Sequence, residues 1–166
     1  TVIFGIVYGM GPSMLSRDFG MTKAAAKQFI QTFQDSLPGV PGYMHASRAA
    51  AVCNGYTETL FGRRRHFTFS SSNLKMYRGR DPLTVTAPML AMATPIDAAL
   101  LRAAGNAPIQ GTGADLMKRA MVGVASELSA QRADSRLLLT VHDEIVLEVA
   151  PGESAAVREL VTHVMS

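Results

Sequence analysis

Residues 137 to 149, LLLTVHDEIVLEV, set two apolar runs around three polar residues. Leu137, Leu138, Leu139 and Val141 lead in; Ile145, Val146, Leu147 and Val149 lead out, and Pro151-Gly152 closes the stretch. Short aliphatic runs bounded by turn residues read as strands, here an antiparallel hairpin with His142, Asp143 and Glu144 at its turn. The apolar runs predict a dry setting. At the rim of such a sheet a carboxylate escapes the core while its backbone stays rigidly held. Asp143 so placed suits a hard cation such as Mg²⁺, which takes oxygen donors and few protein ligands. The competing reading is a charged tip that is merely solvated. A zinc protease fits poorly: there is no H-E-x-x-H, and His142 adjoins the acids instead of lying one helical turn away.

The rest of the chain is mostly helical in pattern. VIFGIVY at 2 to 8 is a buried strand or the end of a helix, and periodicity does not choose between them. Ser13 to Asp18 fits a short helix. Thr22 is a good N-cap for the next, whose Phe29, Ile30, Phe33 and Leu37 share one face until Pro38-Gly39 stops it. A further helix is expected from Tyr43 to Cys53, ended by Asn54-Gly55. Residues 56 to 69 read as strands around a turn at Gly62, and 83 to 86 as a short strand. Thr94-Pro95 caps another helix, with Leu100 and Leu101 starting its apolar face and Pro108 interrupting or kinking it. From Asp115 the residues Leu116, Met117, Ala120, Met121, Val124 and Leu128 share a face. A last amphipathic helix carries Val157, Leu160, Val161 and Val164. The order predicts an α+β fold.

Composition excludes some classes. No apolar run reaches the ~18 residues of a membrane span, and no signal-peptide pattern opens the chain, so a cytoplasmic or organellar protein, not a secreted one, is expected. The single cysteine, Cys53, rules out an internal disulfide and reads as structural. The net charge of +3 says little. Its distribution says more: Arg63, Arg64, Arg65, Lys75, Arg78 and Arg80 fall between 63 and 80 with no acid among them. Such a block suits a phosphate-rich partner or is a solvated basic loop. The chain opens on TVIFGIVYGM without a methionine or a polar lead-in, and a fragment of a longer protein is expected.

Several stretches, in order, resemble the family A DNA polymerases, the group that contains the bacterial repair polymerase. VHDEIVLEV resembles that family's motif C. FGIVYGMGPS at 4 to 13 resembles the second half of motif B, on the helix that closes over the nucleotide. PGVPGYM at 38 to 44, GYTETLFGRRR at 55 to 65 and NAPIQGTGADLMKRAM at 106 to 121 resemble further family blocks. The resemblance implies fingers helices over 1 to 54, and over 55 to 166 the C-terminal part of a right-hand polymerase palm. It implies DNA-directed DNA polymerase activity, with primer-template DNA and dNTP as partners.

Residue roles follow from the same resemblance. Asp143 is expected to hold catalytic Mg²⁺, one of two ions in the complete enzyme, with Glu144 as a supporting carboxylate. His142 is expected at the primer terminus, and Asn106 and Gln110 at the minor groove. Amide donors there test pair geometry while ignoring sequence, because minor-groove acceptors are nearly the same for every correct pair. From the residues alone, Gln110 also reads as satisfying backbone groups freed by Pro108. Tyr8 is expected to stack near the templating base and Phe4 to pack against the incoming sugar; without the resemblance they read as core aromatics. A phenylalanine at that position implies preference for a nucleotide bearing a 3′-hydroxyl. Arg63, Arg64 and Arg65 are assigned to duplex phosphates or the minor groove, and Arg102 to DNA.

Two departures matter. Motif A and the arginine and lysine of motif B are absent, so a missing N-terminal part of the same polymerase is expected as a partner, and the isolated 166 residues are expected not to extend a primer. The stretch between Arg65 and Asn106 is longer than the family pattern. Its surplus, about 68 to 93, is expected to be either an extra basic hairpin over the duplex or a surface loop. The alternatives to a polymerase fragment are a single-subunit RNA polymerase palm and a catalytically inactive DNA-binding module.

Overall fold

In the computed structural model, residues 2 to 166 are described, apart from the side chain of Phe4. They form eight α-helices and two antiparallel hairpins, in two compact units, Thr1–Gly111 and Thr112–Ser166. The border lies inside a helix.

In the first unit, α1 (Val2–Val7) settles the ambiguity of VIFGIVY in favour of helix. α2 (Pro12–Phe19) starts on a proline, which has no N–H to leave unsatisfied, and ends at Gly20 with φ +65. α3 (Lys23–Ser36) is capped as expected: Thr22 Oγ1 accepts from Ala25 N at 3.2 Å. These helices share a small core of Ile6, Leu15 and Ala26, joined by Ile30 and Phe33. Phe29 and Leu37, expected on the same face, are exposed.

α4 (Gly39–Asn54) begins earlier than the expected Tyr43. Pro38 and Pro41 fall at its cap and first turn, where the missing N–H groups are not needed. It ends at Gly55, φ +78. β1 (Tyr56–Glu58) and β2 (Arg64–His66) follow as an antiparallel pair. Their turn is organised by Thr59, whose Oγ1 accepts from Phe61 N and Arg63 N, with Gly62 at φ +80.

The segment from 68 to 93 is neither a hairpin nor a strand. It forms α5 (Ser72–Lys75), a 3-10 turn at Pro82–Thr84 where a strand was expected, and α6 (Ala87–Ala91). Pro82 and the Asp81 side chain, which accepts from Leu83 N, favour a turn over an extended strand. The segment is part of the largest core: Phe67, Phe69, Leu74, Val85 and Leu90 pack with Val52 and Cys53 of α4 and with Leu101, Ala104 and Ala107. Asp97 fastens it. This carboxylate is fully buried and accepts from Ser70 N (3.0 Å), Ser70 Oγ (3.2 Å) and Ser71 N (2.7 Å). Burial works against its charge, but the hydrogen bonds from Ser70 and Ser71 outweigh that and hold it below the usual carboxylate range.

α7 (Pro95–Ala130) is continuous through Pro108, so the proline does not interrupt it. Its later turns belong to the second unit. There Val124 and Leu128 pack against Val157 and Leu160 of α8 (Ser154–Met165), with Leu137, Ile145 and Leu147 alongside. Leu116, expected on the same stripe, is exposed.

β3 (Arg136–Val141) pairs with β4 (Glu144–Glu148) in register Arg136↔Glu148 and Val141↔Glu144. An irregularity between Leu137 and Leu139 shifts the pairing by one residue. A one-residue shift exchanges the faces of a strand. Leu137 therefore faces the core while Leu139 lies out with Leu138, Val141 and Val146. The expected dry setting holds for one face of this hairpin only.

Candidate functional site

The tip of the β3–β4 hairpin is a two-residue turn, His142-Asp143. Its base is fixed by Glu153, which accepts from Asp134 N (3.1 Å), Ser135 N (3.0 Å) and the Ser135 hydroxyl. The same hydroxyl accepts from Ala150 N at 2.9 Å. The Ser135 hydroxyl and the backbone donors hold Glu153 below the usual carboxylate range. The start of β3, the end of β4 and the start of α8 are thereby tied together, and the tip projects from a braced base.

At the tip His142 has φ +55. Two-residue hairpin turns ask for a left-handed residue at their first position, where glycine or asparagine is usual. A β-carbon there costs about 1 kcal/mol. Strain of this kind collects where a side chain has a task. His142, Asp143 and Glu144 are all exposed. None of the three side chains takes a hydrogen bond or ion pair among the described residues, and nowhere among those residues do three of His, Cys, Asp and Glu come together as a metal cage. Two neighbouring exposed carboxylates do not make a closed site. They do fit one protein-side share of a magnesium site, since that ion keeps several waters and substrate oxygens.

The remaining candidates lie in the first unit. Tyr8 follows α1 directly and is 46% exposed. The Phe4 side chain lies outside the described residues. On the β1–β2 hairpin the three arginines are exposed but already engaged in different ways. Arg63 Nη2 donates to Gly111 O at 2.9 Å. Arg64 pairs with Glu58 and lies over the Tyr56 ring, 4.4 Å from its centre. Arg65 lies over the Phe67 ring at 5.3 Å and makes no ion pair among the described residues.

Asn106 and Gln110 share a side of α7 but not an environment. Gln110 is exposed. Asn106 is buried: its Nδ2 donates to Arg102 O at 3.2 Å, and its Oδ1 is buried without a partner among the described residues. An orphaned amide oxygen is costly unless something supplies a donor. Arg102 is exposed, with its stem against Gly9. Cys53 is buried in the core, which raises its thiol pKa and fits a structural role. Sequence reasoning passed over Arg48. It lies in the alanine-rich run SRAAA of α4, and nothing in that run marks it. Its Nε is buried without an acceptor.

Among the described residues no helix is long and apolar enough to cross a membrane. The sequence pattern of DNA polymerase family A matches residues 1–166. DNA polymerase I of Synechocystis sp. is 36% identical over 165 residues, which is 99% of this chain and 16% of that protein. The thermostable DNA polymerase I of Thermus filiformis is 37% identical over 165 residues, 99% of this chain and 17% of that protein. The POL domain of Pol1 from M. smegmatis, solved in complex with DNA primer-template and dNTP, superposes with a TM-score of 0.78 at 31% identity, covering 99% of this chain and 26% of that one. The chain thus spans about a sixth of the length of the curated relatives it matches. With the pattern matched end to end and relatives above 30% identity along nearly the whole sequence, the chain belongs to DNA polymerase family A.

Proposed function

We propose that this chain is the part of a DNA-directed DNA polymerase that presents one metal-binding carboxylate, Asp143, to the end of a growing primer. The observation that carries this reading is the tip of the β3–β4 hairpin. It is exposed, strained at His142 and without side-chain partners among the described residues, on a base that Glu153 holds. A carboxylate that served only folding would be expected to find a donor, as Asp97 and Glu153 do.

In this reading Asp143 holds Mg²⁺ through its oxygens, and Glu144 adds negative charge beside it. Magnesium bound there supplies Lewis-acid activation of the primer 3′-hydroxyl and neutralises charge on the triphosphate. His142 offers a ring N–H to the primer terminus. Gln110 and Asn106 face the minor groove, where amide donors test pair geometry. Arg63, Arg64, Arg65 and Arg102 hold backbone phosphates. Phe4 and Tyr8 bear on the incoming dNTP and the templating base. The other metal-binding aspartate belongs to motif A, which this chain lacks, so the 166 residues alone are expected not to extend a primer.

The test is primer extension by the full-length protein on primed DNA with dNTPs and Mg²⁺. Extension with dNTPs that stops on chelation supports the reading. Extension with NTPs instead makes it an RNA polymerase. Tight binding of primed DNA without extension by either makes it an inactive DNA-binding module.

A further inference from the structure

A second basic feature of the first unit lies away from the GRRR turn. It is a cavity of about 320 Å³ between α4, α6 and the start of α7, whose walls include Gly9, His45, Arg48, Leu90, Leu101 and Arg102. Two arginines and one histidine line it, and no carboxylate does among the described residues. The histidine is occupied: its Nε2 donates to Val85 O at 2.8 Å.

The two arginines are built into place by glycines. A β-carbon on Gly105 would lie 3.1 Å from Arg48 Nε and 2.9 Å from Met44 Cε. One on Gly9 would lie 3.0 Å from both Cγ and Cδ of Arg102, and Gly9 has φ +86, a conformation that disfavours any other residue. Both guanidinium stems therefore rest on bare backbone. Arg48 Nε is buried with no acceptor, and neither arginine has an ion pair among the described residues. Burial and the nearby charge of Arg102 push the Arg48 pKa down, the direction expected of a cation whose counter-ion is absent. Two unpaired guanidinium groups, one partly buried, are held together at a cost that a bound anion would reverse.

We infer that Arg48 and Arg102 together bind one phosphate of a polynucleotide backbone, with Arg48 gripping it from inside the cavity and Arg102 from the mouth. Forked guanidinium groups match the oxygens of a phosphate through paired N–H donors. The rest of the wall, Ala87, Leu90, Ala91, Ala98 and Leu101, is apolar. It accommodates a sugar and offers nothing to a base edge, so the contact positions the strand without reading it. A nucleoside triphosphate is the other source of such a phosphate. It travels with a divalent cation, for which this cavity has no carboxylate. The inference rests on the polymerase reading and adds to it a residue, Arg48, that the sequence did not mark.

The test uses the full-length protein and a primed DNA duplex, with affinity measured across a salt series. Replacing one phosphate contact by Arg48→Met is expected to lower the slope of log Kd against log salt by about one and to weaken binding roughly tenfold at low salt. The melting temperature is expected to hold or rise, because an unpaired buried charge is removed. A scan of single methylphosphonate linkages along the DNA then locates the contact. One linkage is expected to weaken wild type most and Arg48→Met less, because only the Arg102 contact is then left to lose. Arg102→Met, a change at an exposed residue, is expected to respond at the same linkage, and it carries the test if Arg48→Met does not fold. An unchanged slope, with no linkage shared by the two variants, overturns the inference while leaving the polymerase reading intact. A raised KM for dNTP with unchanged DNA binding moves the phosphate to the triphosphate and overturns it equally. Failure of the wild type to bind primed DNA at all removes the polymerase reading and this inference with it.

Discussion

The described residues contain two antiparallel hairpins, and these treat their charges in opposite ways. β1–β2 carries its arginines at the end of the turn and along β2, and braces two of them internally: Arg64 on Glu58 and Tyr56, Arg63 on the carbonyl of Gly111. β3–β4 carries its carboxylates at the tip and leaves them without a partner among the described residues. Yet the two are anchored alike, each by a carboxylate that collects serine and backbone donors. Asp97 clasps residues 70 and 71 beyond β2, and Glu153 clasps the start of β3. Within the two hairpins and their anchors, the acids that serve folding are satisfied, and those left without a partner among the described residues sit where chemistry is proposed. Hydrogen-bond partnership separates the two groups better than exposure, because the arginines of β2 are exposed as well.

Removing a tip acid should therefore abolish activity while sparing the fold. Asp143→Asn in the full-length protein is expected to lower primer extension by at least about 10³-fold, as losing several kcal/mol of charge stabilisation implies. Its melting temperature should stay at the wild-type value. A large loss of stability in this variant would show that the tip carboxylate serves the fold as Asp97 does.

The anchor should behave in reverse. Asp97→Ala strands three donors beside the core and is expected to cost about 3 kcal/mol by denaturant unfolding. The sign of its pH dependence follows from its depressed folded-state pKa. Its contribution is fully present above the ordinary carboxylate pKa and is lost as pH falls through the lower folded-state value. Wild type and Asp97→Asn should thus converge in stability only in strong acid. Constant separation down to the lowest pH would contradict the clasp.

Within the basic hairpin the effects are smaller and graded. Arg65 lacks an acid partner, whereas Arg64 shares its charge with Glu58. Arg65→Met is expected to reduce the salt slope of DNA binding by about one, and Arg64→Met by less. Each should change stability little, because both ring contacts are at the surface. The reverse order of slopes would show that the internal ion pair does not hold Arg64 back. Smallest of all, His142→Gly relieves the left-handed position and should stabilise the protein by about 1 kcal/mol or less while slowing extension. A destabilised variant would mean that the imidazole has a structural contact after all.

Much of this was legible in the sequence, for reasons visible in particular residues. The hairpin at 137 to 149 declared itself through aliphatic runs and a polar break. Thr22, Thr94-Pro95 and Asn54-Gly55 marked helix ends by their local chemistry. Other features depend on distant partners. The bulge that turns Leu139 outward depends on its pairing with Val146. The segment after Phe69 read as a polar loop because its buried residues are spaced irregularly, one or two per short element, with no period to detect. Asp97 looked like an ordinary acid in a first helical turn, and only the return of residues 70 and 71 makes it an anchor. Arg48 sat among alanines with nothing to suggest that Arg102 would face the same cavity.

Whether Asp143 holds a divalent ion at the primer end is decided by counting Mn²⁺ bound to the full-length protein in complex with dideoxy-terminated primed DNA and the next dNTP, by electron paramagnetic resonance. Wild type is expected to hold two ions and Asp143→Asn at least one fewer, at equal DNA occupancy. Equal numbers and equal affinities in both proteins would contradict that role.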